Sequence, residues 1–307
     1  MKPTVIFIVG PTAAGKTALS LLLAEKLQGE IVSADSRQIY KYMNIGTAKP
    51  SKKELAQVPH HFIDILEPDE EYNVGKFFKD GRETISKIFS KGKTPIVTGG
   101  SGLYIRALID GIFNAPEISP AIRKIVLSDL ERHGSAYLYK KLSEIDPRYA
   151  SKISANDPQR ITRALEVYLS SGIPFSQWHH KKTDKAQFKP LMYGITMDRA
   201  ELYTRINKRV DRMLTIGLIE EVKALQEKGF GASLNALKTV GYKEVFQYLD
   251  RRLDYDTMIE KIKQNTRNYA KRQITWFKKE KRIHWINMED EKQKTAAADS
   301  IIKRYER

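Results

Sequence analysis

The feature that most constrains the fold is the segment GPTAAGKT, residues 10–17, which lies between two apolar runs. Strand, glycine-containing turn and helix in that order make this pattern a phosphate-binding loop. The glycines let backbone N–H groups point inwards, and the start of the helix adds its positive dipole end. A lysine adds a full charge, and a threonine hydroxyl can bind Mg²⁺. The predicted residues of this di- or triphosphate site are Gly10, Pro11, Thr12, Ala13, Ala14, Gly15, Lys16 and Thr17, with Thr17 as the metal contact.

Further apolar runs predict the strands of a parallel sheet. The early runs are continuous rather than alternating, as expected for strands that are covered on both faces. Helical patterns separate them, for example over residues 75–89. We therefore predict a doubly wound α/β core. The predicted strands are residues 4–9, 30–34, 61–66, 94–98, 191–197 and 283–286.

The strand pattern stops from about residue 114 to residue 189. Residues 118–170 are charged and helical, and Ser119 followed by Pro120 is typical of a helix start. A helical block between two core strands is a lid or an accessory domain. We predict core segments at residues 1–114 and 190–307, the latter with C-terminal helices over 199–228 and 255–279, and an all-helical insertion at residues 115–189, with a loop at 177–182.

The chain is strongly basic, with 53 Lys and Arg against 37 Asp and Glu, a net charge of +16. Such a surplus favours a polyanionic partner, usually nucleic acid, although a solvated basic surface without function is the alternative. Cysteine is absent, which excludes disulfides and thiolate zinc sites. No apolar run approaches the roughly 20 residues of a membrane helix, and the first residues lack a signal-peptide pattern. We expect a cytoplasmic protein without membrane association.

Two further segments follow predicted strands at the same edge of the sheet, where ligands of open parallel sheets bind. Asp35 ends the second strand and is a candidate Mg²⁺ ligand, general base or helix cap. Residues 99–102, GGSG, form either a second turn rich in N–H groups or a plain tight turn. No predicted strand has four apolar residues followed by an acidic residue, the pattern typical of an ATP-hydrolysing motor. The second strand ends in Ser33, Ala34 and Asp35, the fourth ends without an acidic residue, and Asp64 lies inside its predicted strand. Small-molecule kinases and other transferases remain.

Arginines recur at helical spacing in two places. Arg160 and Arg163 share a face of one predicted helix, beside Gln159, and suit contacts to phosphates and base edges. Arg205 and Arg209 project together from another helix and are typical of a lid that closes on phosphates. In both cases an exposed, salt-bridged surface is the alternative.

The helix over residues 255–279 carries two different stripes. A row of basic residues along a helix indicates either a surface that binds a phosphate backbone or a solvated face without function. The two histidine pairs, at residues 60–61 and 179–180, lack metal-ligand spacing and predict structural or polar contacts. The basic stripe is Lys263, Arg267, Lys271 and Lys278, and the predicted core stripe is Ile262, Tyr269 and Trp276.

Several segments together, in order along nearly the whole chain, resemble the bacterial tRNA dimethylallyltransferases. The resemblance implies a core like that of the P-loop nucleotide-binding proteins and an enzyme that uses Mg²⁺. It also implies transfer of a dimethylallyl group from dimethylallyl diphosphate to the exocyclic amine of the adenosine just 3′ of a tRNA anticodon. The segments are GPTAAGKT, DSRQIY, IGTAKP, PHH, GGSGLY, NDPQRITRALEV, VGY and AKRQITW.

The resemblance also implies roles for individual residues. Asp35 matches the general base, and Arg209 matches an arginine of the prenyl diphosphate site. Ser101 stands where many relatives have threonine; the hydroxyl remains, so we keep Ser101 as a catalytic substrate contact. Without cysteine the chain cannot have the zinc finger of eukaryotic relatives, and we expect a monomeric, bacterial-type enzyme. The implied tRNA contacts are Asp35, Ser36, Arg37, Gln38, Ser101, Arg123, Gln159, Arg160, Ile161, Thr162 and Arg163.

Three other functions stay open at this point. A phosphate-loop kinase of a nucleoside or small metabolite would share the core fold. A prenyltransferase acting on free adenine nucleotides would share both the loop and the base. A non-catalytic RNA-binding protein with a vestigial nucleotide fold would share the basic surface.

Overall fold

A six-stranded, all-parallel sheet forms the centre of the molecule, with strand order β3-β2-β4-β1-β5-β6. The computed structural model describes residues 2–113, 116–178 and 184–307. The α/β class and the parallel sheet predicted from the sequence are confirmed. The strands are β1 (Thr4–Val9), β2 (Glu30–Ser33), β3 (His60–His61), β4 (Pro95–Gly99), β5 (Lys189–Thr196) and β6 (Ile283–Asn287).

Helices cover the sheet and make up the rest of the regular structure. Side chains cap most of their first turns; Asn73, for example, accepts hydrogen bonds from the N–H groups of Gly75 and Lys76. The helices are α1 (Lys16–Lys26), α2 (Lys52–Gln57), α3 (Val74–Ser90), α4 (Gly102–Asp110), α5 (Pro120–Ile145), α6 (Pro147–Ala150), α7 (Pro158–Ser171), α8 (Phe175–Trp178), α9 (Arg199–Thr215), α10 (Leu218–Glu227), α11 (Tyr242–Leu249), α12 (Tyr255–Phe277) and α13 (Glu291–Tyr305).

Strand β1 shows why the early apolar runs are continuous. Val5, Phe7 and Val9 belong to the hydrophobic core on one face of the sheet, and Ile6 and Ile8 to the core on the other face. All five side chains are completely buried. A strand that is covered on both faces needs apolar residues at successive positions, which removes the alternation seen in half-exposed strands.

The chain divides into two compact units. The larger one comprises the residues up to Ile109 together with Ala186–Arg307, and contains the sheet. The smaller one is Asp110–Lys185, and all regular structure among its described residues is helical. Our predicted insertion at 115–189 therefore begins and ends a few residues later than this unit. Among the described residues, every helix is too short or too polar to span a membrane.

The smaller unit has its own hydrophobic core, formed mainly between α5 and α7. Val126, Leu138 and Leu142 from α5 pack with Ile161 and Leu165 from α7. Ser119 caps α5 and Pro120 occupies its first turn, as the sequence predicted. Gly134, with φ of 78°, interrupts the helical backbone of α5. The predicted loop at 177–182 is wrong for Gln177 and Trp178, which end α8, whereas residues 179–182 lie outside the described residues.

The bounds of one predicted strand and one predicted helix in the larger unit are wrong. The strand predicted at 61–66 shrinks to β3, because Phe62 and Asp64 have positive φ values of 65° and 53° and turn the chain out of the sheet. Asp64 therefore lies after the strand, where it pairs with Lys49, and not inside it. The helix predicted at 199–228 is two helices, α9 and α10, separated where Gly217 has a φ of 102°.

Candidate active site

A cavity of about 350 Å³ opens at the carboxyl ends of β1, β2 and β4. The segments that follow these three neighbouring strands supply its floor: the phosphate loop after β1, Asp35 after β2 and the Gly99–Gly100 turn after β4. Helices α9 and α12 supply the opposite wall through Arg209, Tyr269 and Gln273. The edge of the sheet that the sequence predicted as the ligand site therefore contains the cavity.

The phosphate loop has the backbone that its sequence predicts. Gly10 has a φ of 138°, and a Cβ there would lie 2.9 Å from the carbonyl oxygen of Ile195, so only glycine fits. Helix α1 starts after Gly15 without a side-chain cap among the described residues, which leaves its first N–H groups available to an anion. Of the predicted loop residues, Thr12, Ala13, Gly15, Lys16 and Thr17 line the cavity, whereas Gly10, Pro11 and Ala14 shape the loop behind it.

Lys16 and Arg209 bring two cations to the same cavity. The Lys16 ammonium donates to the carbonyl of Pro11 at 2.7 Å, and a guanidinium nitrogen of Arg209 donates to Thr12 Oγ1 at 3.2 Å. Burial, followed by repulsion from Arg209, lowers the pKa of Lys16 to about 7, with Asp35 acting in the opposite direction. Burial also lowers the pKa of Arg209. Two basic side chains that are partly desolvated in one cavity form a site for a highly charged anion.

Asp35 faces this pair of cations from the end of β2. Its Oδ1 accepts the backbone N–H of Arg37 at 2.8 Å and that of Gln38 at 3.4 Å, which holds the carboxylate in a tight turn. Oδ2 accepts no hydrogen bond from the described residues, and Asp35 lines the cavity. The sequence left a metal ligand, a general base and a helix cap open for Asp35. The described residues after it form a turn and not a helix, so Oδ1 caps a turn and the helix-cap alternative is wrong. The roles as metal ligand and general base stay predictions.

The turn after β4 closes the floor of the cavity. The N–H of Ser101 donates to the carbonyl of Ala34 at 3.2 Å, which ties this turn to the segment that carries Asp35. Thr98, Gly99 and Gly100 line the cavity, but Ser101 does not. The catalytic role that we expected for Ser101 therefore stays a prediction for the substrate-bound enzyme.

Of the other residues predicted in the 35–38 segment, Arg37 and Gln38 line the cavity, whereas Ser36 does not. Arg37 donates to the carbonyl of Asn235 at 2.8 Å. The side-chain amide of Gln38 donates to the carbonyls of Thr47 and Ala48 at 3.2 and 3.1 Å, which fastens the IGTAKP loop to this turn. Ser36 is partly exposed beside them. Their predicted contacts with tRNA stay predictions.

Sequence reasoning missed the role of Glu221. Its carboxylate accepts the consecutive backbone N–H groups of Asn44, Ile45 and Gly46, and the hydroxyl of Tyr242 at 2.6 Å. This anchor shapes the loop of residues 46–50, which forms one wall of the cavity. The VGY and IGTAKP segments had been noted only as part of a resemblance, and neither identifies its anchor on α10.

Tyr269 and Gln273 on α12 were missed as well. The sequence placed Tyr269 in a core stripe and gave Gln273 no role, but both side chains line the cavity. Burial, followed by the negative charge of Asp35, raises the pKa of Tyr269, so its hydroxyl stays neutral at ordinary pH. The sequence offered no signal for either role, because the partners of these side chains lie far away along the chain.

Half of the basic stripe predicted on α12 makes contacts inside the protein. Lys263 pairs with Asp211 at 2.8 Å, and Arg267 donates to Asn207 at 2.8 Å, so both join α12 to α9. Only Lys271 and Lys278 are exposed. The predicted core position of Trp276 is wrong, because its side chain is 41% exposed where it packs over Gly102. Arg205 does not line the cavity. It pairs with Glu201 and donates to the carbonyl of Glu289.

The tRNA contacts predicted in the smaller unit fall into two groups. Arg160 pairs with Asp157 at 3.2 Å, while Arg163 and Arg123 lie 3.6 and 3.8 Å from Glu166. The side chain of Gln159 is exposed as well. Ile161 and Thr162 face the core of the unit, at 0% and 8% exposure, so their side chains are not available to a ligand in this structure. The predicted contacts of the exposed residues stay predictions.

The described residues fit a magnesium ion that arrives with a phosphate ligand. Thr17 and Asp35 both line the cavity, but no cluster of three or more His, Cys, Asp or Glu side chains that could hold a metal occurs among the described residues. Mg²⁺ keeps several waters and is usually bound by few protein oxygens together with substrate phosphates. As predicted, His60 and His61 make polar contacts only, to the Val58 carbonyl and to Glu30.

Comparison with known proteins finds similar proteins over most of the chain. The family model described as IPP transferase matches residues 38–280. The chain is 50% identical to the tRNA dimethylallyltransferase of Carboxydothermus hydrogenoformans, over 94% of this chain and 93% of the relative.

Two solved structures are also similar to this chain. The full-length tRNA isopentenylpyrophosphate transferase of Bacillus halodurans has a TM-score of 0.73 at 37% identity, covering 100% of this chain and 97% of that one. A eukaryotic dimethylallyltransferase acting on tRNA has a TM-score of 0.84 at 29% identity, covering 98% and 80%. The resemblance noted in the sequence is confirmed: the chain belongs to the IPP transferase family, together with the tRNA dimethylallyltransferases.

Proposed function

We propose that this protein transfers a dimethylallyl group from dimethylallyl diphosphate to the exocyclic amine of the adenosine 3′ of the anticodon in tRNA. One observation carries the proposal: a cradle for a diphosphate lines the same cavity as the carboxylate of Asp35, whose Oδ2 accepts no hydrogen bond from the described residues. The cradle suits the leaving group, and the carboxylate suits the acceptor. We further propose that the protein acts as a monomer and that, as an enzyme of tRNA, it acts in the cytoplasm.

The cradle stabilises the charge that develops on the leaving diphosphate. As the bond between the allylic carbon and the diphosphate oxygen breaks, its electron pair goes to that oxygen. Lys16, Arg209 and the first N–H groups of α1 lie where they can bind the resulting charge. Stabilisation of this kind is usually the largest single contribution to catalysis. Mg²⁺, bound by Thr17 and the phosphates, would neutralise part of the same charge.

Asp35 accepts the proton that the acceptor must lose. An adenine amine is a weak nucleophile because its lone pair is shared with the ring. Removal of its proton by a carboxylate within hydrogen-bond reach, while the carbon–nitrogen bond forms, typically contributes about 10²–10⁴-fold. The atoms balance: the five-carbon group moves to nitrogen, the proton moves to Asp35 and diphosphate leaves.

The acceptor base must leave the anticodon loop before it can reach Asp35. Extrusion of a base costs a few kcal/mol and is repaid by contacts to the flanking nucleotides. The basic surplus of +16 supports binding of a polyanion, and single-stranded loops are the usual targets of sequence-specific RNA recognition. We assign the contacts with tRNA to two groups of residues. They are Ser36, Arg37 and Gln38 in the larger unit, and Arg123, Gln159, Arg160 and Arg163 in the smaller unit.

The test is to incubate the protein with Mg²⁺, dimethylallyl diphosphate and unmodified tRNA, and to digest the tRNA for mass analysis. The proposal predicts a five-carbon addition on the adenosine next to the anticodon, and none when AMP replaces tRNA. Equal transfer to AMP would show a prenyltransferase of free nucleotides instead. Turnover of labelled ATP without prenyl transfer would show a kinase.

A further inference from the structure

The side-chain amide of Gln273 joins two segments of the cavity floor. Its Oε1 accepts the backbone N–H of Thr12 in the phosphate loop at 2.8 Å, and its Nε2 donates to the carbonyl of Gly100 at 3.0 Å. The side chain is buried, at 6% exposure. One partner can only donate and the other can only accept, so the orientation of the amide is fixed by its hydrogen bonds.

The fit around this amide is tight. A Cβ on Gly100 would lie 2.0 Å from Nε2 of Gln273, so the amide can approach only because residue 100 is glycine. The backbone of Gly100 does not have a positive φ; the glycine is needed for space and not for conformation. A glutamate at position 273 would keep the shape but place an acceptor against the Gly100 carbonyl.

The connection extends from Gly100 to the general base. The next residue, Ser101, donates its N–H to the carbonyl of Ala34, which directly precedes Asp35. The segments after β1, β4 and β2, which are neighbours in the sheet, are thus linked in a row at their ends. Gln273 supplies the link between the first and the second of them.

Thr12 is also held from its other side. Its hydroxyl accepts from Arg209 on α9. Helices α9 and α12 are joined to each other by the Lys263–Asp211 ion pair and by the hydrogen bond from Arg267 to Asn207. The helix pair therefore holds Thr12 through one main-chain and one side-chain hydrogen bond, while Ala13 beside it packs against Leu202, Ile206 and Ala270 of the same two helices.

We propose that Gln273 is a positioning residue that fixes the distance between the phosphate loop and the segment carrying Asp35. This inference rests on the proposed function, in which the diphosphate and the base act on one substrate pair at the same moment. Small displacements of reacting groups, of about 1 Å, can cost about 10²-fold in rate. The two hydrogen bonds of Gln273 keep leaving group and base at the spacing that the reaction requires.

The direct test compares Gln273→Glu and Gln273→Met with Gln264→Glu and Gln264→Met. Gln264 is exposed on the same helix and makes no hydrogen bond with the described residues, so it is a matched control. We expect single-turnover prenyl transfer to fall at least about tenfold in both Gln273 variants. Affinity for tRNA and the rates of the Gln264 variants should stay within about twofold of the wild type. A lower melting temperature with an unchanged single-turnover rate would show a structural role only and overturn the proposal.

A second test adds a Cβ at residue 100, where the side-chain amide of Gln273 now lies. Gly100→Ala must displace the amide, so it should slow single-turnover transfer in the same way as Gln273→Ala. Because both changes break one link, the double variant should be no slower than the slower single variant. Losses that multiply would mean that the two residues act separately, and the proposed link would be wrong.

Amide exchange separates this inference from the proposed function. The N–H of Thr12 should be protected in the wild type and should exchange at least about tenfold faster in Gln273→Met. If the wild type transfers no prenyl group, the proposed function fails, and the inference that depends on it falls with it even if this protection is seen. If the wild type transfers normally but the Thr12 N–H exchanges equally fast in both proteins, only the role of Gln273 fails.

Discussion

Two arginine pairs with similar helical spacing meet different environments in this protein. Arg209, on α9, is partly buried in the cavity, donates to Thr12 and has no carboxylate partner among the described residues. Arg160 and Arg163, on α7, are 59% and 42% exposed, and each lies near a carboxylate three residues away along the helix. Spacing alone left an exposed, salt-bridged surface open as the alternative for both pairs, whereas burial and partners separate Arg209 from the other pair.

The difference shows what each region can do with a positive charge. A partly desolvated guanidinium without a carboxylate lacks a counter-ion, so it favours an anionic ligand strongly and at one position. Exposed arginines with carboxylate neighbours contribute little to stability and exchange partners readily, which suits a mobile polyanion. We therefore assign Arg209 to the chemistry and the α7 arginines to tRNA affinity.

Among the variants that test this comparison of arginines, the largest effect is expected from the loss of Arg209. Arg209→Gln should lower single-turnover prenyl transfer by about 10²–10³-fold, because a preorganised donor to the leaving diphosphate is removed. Arg205→Gln, one helical turn away and outside the cavity, is the control and should change transfer by less than about threefold. Comparable losses in the two variants would erase the distinction between the buried and the exposed arginines.

The next effect concerns Lys16, which shares the cavity with Arg209. Its pKa is lowered to about 7 in the free protein, mainly by burial, and a bound diphosphate must raise it again. Binding of pyrophosphate should therefore weaken as the pH rises above about 7, by up to about tenfold per pH unit, because a proton must be taken up with the ligand. Calorimetry in buffers of different ionisation enthalpy measures how many protons are taken up when pyrophosphate binds. Lys16→Met should abolish the proton uptake that comes from the protein. If proton uptake persists in this variant, another group than Lys16 takes up the proton.

A smaller effect is expected in the exposed pair. Arg160→Gln and Arg163→Gln should each weaken tRNA binding about equally for all tRNA sequences. Each should also reduce the slope of log affinity against log salt by about 0.7–0.9. Pyrophosphate affinity should not change. A loss of pyrophosphate binding in either variant would show that these arginines serve the cavity after all.

The smallest effect tests the carboxylate beside Arg160. Asp157→Asn keeps the cap of α7, because asparagine caps helices as well as aspartate, but removes the ion pair with Arg160. We expect the free energy of unfolding to change by less than about 1 kcal/mol and tRNA affinity to rise by about two- to threefold. Weaker tRNA binding would mean that the ion pair positions Arg160 for its ligand.

The parts of the site that could be predicted from the sequence are those encoded locally. The phosphate loop depends on glycines, a lysine and flanking apolar runs within one short segment, and Asp35 follows directly from the end of a buried strand. The length of strand β3 was overestimated, because a mostly apolar run continues after His61. The positive φ values of Phe62 and Asp64, which end the strand, leave no trace in the sequence pattern.

The parts that could not be predicted depend on distant contacts. Gln273 lies 261 positions from Thr12, and Glu221 lies 175–177 positions from the N–H groups that it binds. Helical periodicity showed that Lys263 and Arg267 share a face, but only the packing of α12 against α9 shows that they are partly used inside the protein. Spacing identifies the face of a helix, and tertiary structure decides what that face meets.

The most direct test of the account is single-turnover prenyl transfer by Asp35→Asn, with tRNA and pyrophosphate binding measured on the same preparation. Asparagine keeps the oxygen that accepts the N–H of Arg37 but cannot take up the proton of the adenine amine. We predict that transfer falls by about 10²–10⁴-fold while both affinities stay within about threefold. Transfer at the wild-type rate, with both ligands bound, would contradict the assignment of Asp35 as the base and with it the proposed mechanism.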